Sequence, residues 1–404
     1  MSLDALIETI DREIDSEREA LIRLCAELVD AVSVNPPGRT TEMAQVVKAY
    51  LDSRKVPSEI VAADVEAPNV VGRVTCPGPG RHVVFNAHMD TMEPGDAAAW
   101  SVPVFELTRR DARLYGLGMG NMKGALAAMC MATAAIHRHA EGLAGRLTLT
   151  AVSDEVMFGE RGTVLLLRDR PDVTGDFLIS GEGPGFMDLA VAEKGLLWLD
   201  IEVRGPAGHS SRTFSGETAV MRLAALLSKL DGFNDIYANL PPELDGVSGG
   251  MDELGFRLSL NAGNLSAGTV RSQIATRAVA KLDIRLPPGL TADEVEGQIR
   301  AIAAGDPDIH IVRVKAWDAN WVAPASELAL TMSAAAEAVR GQAPRPVVRL
   351  PGSDARKWRA LGVPAICYGP QPTLSSGIDD YAEEQDVIDC AKIYVRTAIG
   401  LMTG

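Results

Sequence analysis

Long apolar runs, paired cysteines, surplus positive charge and late histidines are all missing from this 404-residue chain. No stretch approaches the roughly 20 apolar residues a spanning helix needs. The opening MSLDALIETIDREIDSE is acidic and amphipathic, so neither a signal peptide nor a membrane span is expected there. The five cysteines (Cys25, Cys76, Cys130, Cys367 and Cys390) are odd in number, scattered, and form no C-x-x-C pair. They fit free thiols in a reducing cytoplasm and exclude a disulfide framework. Lys and Arg number 39 against 54 Asp and Glu, a net charge of −15. That balance excludes nucleic acid and anionic membrane as partners, because both demand clustered cations. Only six histidines are present, none beyond His310.

What remains is an ordinary globular composition, 47% hydrophobic and 23% charged. The length exceeds what one hydrophobic core sustains, so two domains are expected. Apolar positions repeat at three- and four-residue spacing over residues 2–33, which predicts an opening helix that NPPGR then breaks. RHVVFNAHMD, LTLTAVSD, DFLISGE and VPAICYGP read as buried strands, the first ending in polar residues. NMKGALAAMCMATAAIHRH reads as a helix from Asn121 to His139, its Ala125–Ala135 run being core packing. A last helix is predicted from about Glu384.

Strands alternating with helices predict an α/β catalytic domain, a mostly parallel sheet with helices on both faces and ligands at the strands' carboxyl ends. Near Lys194 the texture changes to a strand-helix-strand-strand-helix order. This predicts an inserted α+β, ferredoxin-like domain over residues 194–311, with the larger domain split into 1–193 and 312–404.

Chemistry-bearing residues gather at the predicted strand ends. His88 alone reads as an ordinary buried histidine, but Asp90 two residues later shares its face of the strand. Metal-bound imidazoles usually donate to a carboxylate, so the pair reads as a ligand and its orienting group. Glu155 in SDEVMFGERGT is either a solvated loop acid or a general base. Glu182 in LISGEGPG is either a surface acid or a ligand. Asn121 precedes a helix and is expected both to cap it and to face the cleft. GLGMG lacks dinucleotide-binding spacing and a ribose-binding acid about 20 residues on, so that reading is rejected.

Taken together, H-x-D after a strand, G-x-N-M-K-G at a helix start, D-E before G-x-x-G and G-H-S-S in the insertion give a resemblance over nearly the whole chain. It is to the family of metal-dependent aminoacylases, carboxypeptidase G and succinyl-diaminopimelate desuccinylase. The resemblance implies two metal ions sharing a bridging aspartate. Matched residue by residue, it leaves His88 and Glu182 as ligands of one ion and puts Asn121 at the bridge. The family's D-E-E triplet becomes Asp154, Glu155 and Val156, which keeps the general base and loses a ligand. The late histidine becomes Ser376. A frame shifted by one would make Glu155 the ligand and Asp154 the base; the spacing to R-G-T favours the first.

Two dications about 3.5 Å apart repel by roughly 19 kcal/mol at an effective dielectric of about 20. A neutral bridge cannot offset that, so at most one ion is expected. His88, Glu182 and the Asn121 amide or water would make an oxygen-rich set suited to manganese, with zinc as the other choice. The resemblance further implies that the inserted domain is a lid and dimerisation domain, and that His209 donates to a substrate oxyanion, often across a dimer interface. It implies that Arg285 and Arg356 hold a substrate carboxylate, and that Gly352 and Ser353 shape the pocket wall. The expected protein is a cytoplasmic homodimeric hydrolase of a C–N bond in a small carboxylate-bearing molecule. Three other readings stay open: an atypical member performing hydrolytic deamination or a metal-free Glu155-dependent reaction, an inactive ligand-binding homologue, and a two-metal peptidase with ligands from elsewhere.

Overall fold

The computed structural model describes residues 2–185, 187–372 and 377–404. The chain divides into two compact units. The first comprises Met1–Val191, Trp321–Val347 and Ser353–Gly404, and the second Ala192–Asn320 with Val348–Gly352.

The first unit is built on a sheet whose centre is parallel. Strands Ala144–Val152, Gly78–His88, Phe177–Ser180 and Ala365–Cys367 lie side by side in that order, each parallel to its neighbour. Strands Asn69–Thr75 and Ser58–Val61 extend one side antiparallel. Ala190 pairs antiparallel with Cys367 on the other side. Both faces are covered, which explains why these strands read as continuous apolar runs. Val84 packs in a buried cluster with Ala355 and Trp358 of one helix. Phe85, its neighbour on the opposite face, meets Tyr394 of the C-terminal helix Glu384–Thr403, with ring centroids 5.6 Å apart. The predicted α/β class with helices on both faces is the observed one.

Two helical expectations are corrected. The opening segment is two helices, Leu3–Ser16 and Arg18–Asp30, parted at Glu17, whose backbone leaves the helical region (φ −93°, ψ 11°). Its carboxylate binds Arg54 and Arg138, each at 2.7 Å, tying the break to two other helices. The second helix begins at Gly124 and not at Asn121. An irregular turn over Met119–Lys123 precedes it, entered through Gly118 at φ +86°, where a side chain would be strained. Asp380 holds that turn by accepting the N–H groups of Gly118 and Gly120 at 2.8 and 3.3 Å.

The second unit has a four-stranded sheet ordered Ser259–Ala267, Arg277–Leu286, Gly195–Arg204, Ile309–Trp317, antiparallel throughout. Helices Ala219–Leu230 and Ala292–Ala303 bury their apolar stripes on one face of it. In chain order the strands occupy positions three, one, two and four, the ferredoxin-like arrangement. The fourth strand was not legible in sequence. Because it pairs with Gly195–Arg204, the second unit runs on to Asn320, beyond the boundary placed at residue 311.

Among the described residues no helix is long and apolar enough to cross a membrane. All five cysteines are buried, and none is joined in a disulfide.

Candidate active site

Three buried side chains converge at the carboxyl ends of the first unit's parallel strands. His88 ends its strand, Glu155 sits three residues past Val152, and Glu182 two past Ser180. His88 Nε2 lies 3.2 Å from Glu182 Oε1 and 3.9 Å from Glu155 Oε2. One ligand atom from each lies within 4.8 Å of the others, the one such group of His, Cys, Asp or Glu among the described residues.

The other ring nitrogen fixes the imidazole's orientation. Nδ1 meets the main-chain carbonyl of Asp90 at 2.8 Å, whereas the Asp90 carboxylate is 3.7 Å away. The expected carboxylate–histidine contact is therefore replaced by a carbonyl. The fully buried Asp90 carboxylate is used elsewhere. It accepts the N–H groups of Glu155 and Val156 at 3.1 and 3.0 Å and the Asn35 amide at 2.8 Å. These bonds set the loop that carries Glu155.

Asn121 does not cap the following helix. Its backbone is extended (φ −135°, ψ 94°), Lys123 occupies the cap position, and no side chain caps the helix. The amide oxygen instead lies 3.4 Å from His88 Nε2, so only the cleft-facing half of that expectation stands. Asp154 is committed to Arg161, at 3.0 Å from its side chain and 3.2 Å from its N–H, and to Asn35 at 3.3 Å. Arg161 outweighs the effect of burial and holds Asp154 below the ordinary carboxylate range. An anion so engaged is a poor proton acceptor, which argues for Glu155 as the base of the pair.

The charges of the group act on one another at close range. Burial, then the charge of Glu182, pushes Glu155 well above the usual carboxylate range, with His88 acting the other way. Burial alone would lower His88. The Glu182 hydrogen bond and the charges of Glu155, Glu182 and Asp90 outweigh it and raise the imidazole to about 10. The pocket thus carries more buried negative charge than His88 balances, and it attracts cations and protons alike. One imidazole nitrogen with carboxylate oxygens fits a divalent cation, and the Asn121 amide oxygen lies within reach of the same nitrogen.

The remaining predicted residues are distributed between the units. In the second, His209 is exposed and its Nδ1 pairs with Ser211 Oγ at 2.9 Å. Arg285 directs Nε and Nη2 at the Asp283 carboxylate, at 2.7 and 2.9 Å. The Gly352 carbonyl accepts from Arg349 Nη1. In the first, buried Ser353 Oγ lies 3.3 Å from Cys367 Sγ and accepts the Ala355 N–H. Arg356 is half-buried on the short helix Ala355–Ala360. Ser376 lies outside the described residues.

Sequence reasoning missed Asn35, which links Asp90 to Asp154, and Asp354, a carboxylate 2% exposed that accepts from Thr163 and Lys357. Asn35 stands in the helix-breaking NPPG and Asp354 follows Ser353, but neither carries a local pattern that marks a site.

This sheet and buried histidine–carboxylate group define a hydrolase of the metallopeptidase class. The family model for peptidase family M20/M25/M40 matches residues 84–399, and the chain belongs to that family. It is 27% identical over 330 residues to a succinyl-diaminopimelate desuccinylase of Methylococcus capsulatus, covering 78% of this chain and 81% of that one. It is 29% identical over 229 residues to a probable succinyl-diaminopimelate desuccinylase of Staphylococcus aureus, where the match spans 56% of this chain and about half (53%) of the relative. Among solved structures, human carnosine dipeptidase 1 shares the fold at a TM-score of 0.77 and 16% identity, with 98% of each chain covered. A dinuclear metal-binding peptidase of Bacillus subtilis does so at 0.67 and 11%, with 96% of this chain and 99% of that one covered.

Proposed function

We propose that this chain hydrolyses a C–N bond of amide type in a small carboxylate-bearing substrate, with Glu155 as proton carrier and at most one divalent ion, manganese or zinc. The observation that carries the reading is the buried His88–Glu155–Glu182 group, in which Glu155 is placed by two main-chain bonds to Asp90. Relatives named for removal of a succinyl group support an N-acyl substrate.

His88 and Glu182, completed by the Asn121 amide oxygen, would hold the ion. A bound cation there would polarise the scissile carbonyl and draw Glu155 back toward its ionised form. The Glu155 carboxylate then takes a proton from water as that water attacks the acyl carbon, and delivers it to the leaving nitrogen. His209 donates to the developing oxyanion through Nε2, since Ser211 engages its Nδ1. Arg285 and Arg356 receive the substrate carboxylate, with Gly352 and Ser353 shaping the wall beside it. The reading includes a homodimer assembled through the second unit and a cytoplasmic location, the latter supported by five buried cysteines outside any disulfide.

A metal-free version of the Glu155 reaction is the second reading. The 3.2 Å contact of His88 with Glu182 favours it, because an imidazolium there supplies a positive charge of its own. A turnover screen with N-acyl amino acids, dipeptides and aminoaromatic acids tests the enzyme claim. Release of amine by wild type and not by Glu155→Gln is expected. Inert wild type and variant, with small acids still raising the melting temperature, would establish a binding module instead.

A further inference from the structure

Asp354 is 2% exposed and lies outside the group just described. Its Oδ1 accepts from Lys357 Nζ at 2.5 Å and its Oδ2 from Thr163 Oγ1 at 2.5 Å. Thr163 opens the helix that follows the Glu155 loop, and its hydroxyl in turn accepts from Asn86 Nδ2 at 3.4 Å. Asn86 stands two residues before His88, and its carbonyl receives the N–H of Gly181, next to Glu182, at 3.0 Å. A buried chain of polar groups therefore runs from Lys357 through Asp354 and Thr163 to the strand ends that carry His88 and Glu182.

We propose that Asp354 is a positioning residue of the cation site: an outer anion that strengthens divalent-ion binding at the His88–Glu155–Glu182 group, while Lys357 weakens that binding by neutralising it. The proposal rests on the metal-binding part of the hydrolase reading. A buried carboxylate joined through Thr163 and Asn86 to the strand ends that carry His88 and Glu182 adds to the negative potential at the group. A dication relieves that accumulation, so removing the anion costs affinity. Lys357, with its side chain only 9% exposed, is the counter-charge at Asp354. Its removal leaves the anion fully felt at the site.

Mn²⁺ titrated into metal-stripped full-length protein, followed by calorimetry and by the electron paramagnetic resonance of free Mn²⁺, tests this. Asp354→Asn should weaken Mn²⁺ binding about tenfold or more, the usual effect of losing an outer partner of a metal site. Lys357→Met should tighten it several-fold, and Asp354→Glu should restore part of the loss. Opposite signs for the two partners support an electrostatic role, because a purely structural pin weakens binding whichever end is cut. Loss in both variants, or no change in Asp354→Asn, overturns the assignment alone. Failure of wild type to take up Mn²⁺ overturns the metal reading, and this inference with it.

Discussion

Asp90 and Glu155 are joined through the main chain and not through their side chains: the Asp90 carboxylate accepts the Glu155 N–H at 3.1 Å and the Val156 N–H at 3.0 Å. The same residue steadies His88 through its carbonyl. One aspartate thus fixes two of the three groups of the site, by two different atoms.

Asp90→Ala removes the acceptor of the buried Glu155 N–H, the part-buried Val156 N–H and the Asn35 amide. Each buried unsatisfied group costs about 1–3 kcal/mol, so the variant should lose about 2 kcal/mol or more in urea unfolding. Asp90→Asn keeps one acceptor oxygen and should lose less. Equal stability of Asp90→Ala and wild type would contradict the placement of the Glu155 loop described above.

Glu155→Gln separates chemistry from stability. Loss of a positioned general base should lower kcat by roughly 10²–10⁴-fold. The folded-state proton affinity of Glu155 is raised, so the ionised form is disfavoured on folding and stability falls as pH rises above the unfolded carboxylate range. Gln removes that penalty, and the metal-free variant should melt no lower than wild type at neutral pH. A large fall in melting temperature would recast Glu155 as structural.

Metal content tests the proposed single-ion site against the dinuclear arrangement named for one structural neighbour. After loading with Mn²⁺ or Zn²⁺ and desalting, elemental analysis should find one ion per chain. Two ions would show that Val156 and Asn121 are compensated by other ligands.

His82 gives a pH dependence remote from the chemistry. It is 6% exposed, its Nε2 lies 2.8 Å from Thr148 Oγ1, and burial followed by the charge of Arg146 lowers it to about 4. Between about 4 and its unfolded value near 6.5, the unfolded chain binds the extra proton. Its contribution is complete above about 6.5 and is lost as pH falls toward 4, up to about 3 kcal/mol. Urea midpoints measured from pH 7.5 to 4.5 should fall more steeply for wild type than for His82→Asn. Parallel curves would mean that His82 is protonated in the folded protein.

The strands of the first unit were legible because burial on both faces leaves uninterrupted β-branched runs, as in the seven buried residues His82–His88. His88, Glu155 and Glu182 stand out in the sequence because the first ends such a strand and the other two closely follow one. Ile309–Trp317 was not legible, since this edge strand packs Ile309 and Ile311 on the core only partly buried, and its alternation breaks down at the register shift between Arg313 and Lys315. Asn35 reaches Asp154 across 119 positions and Thr163 reaches Asp354 across 191, separations over which sequence carries no periodic signal. Asn121 has a residue type and an extended backbone that both suit a cap, and what excludes the role is that the helix starts only at Gly124, with Lys123 in the cap position.

Restoring an acid at Asn121 tests how charge is balanced in the pocket. The Asn121 oxygen is 3.4 Å from His88 Nε2, beside Glu155 and Glu182, which already compete for that one imidazole. In Asn121→Asp a further carboxylate joins them, and like charges about 4 Å apart repel by about 4 kcal/mol at an effective dielectric near 20. Without metal the variant should therefore melt below wild type at pH 8 and recover at pH 5, where protonation relieves the repulsion. Saturating Mn²⁺ should raise its melting temperature by more than it raises wild type's, because the added anion contributes to the bound state and opposes the empty one. An unchanged melting temperature in both conditions would place residue 121 outside the electrostatic reach of the site and remove the argument for a single, weakly bridged ion.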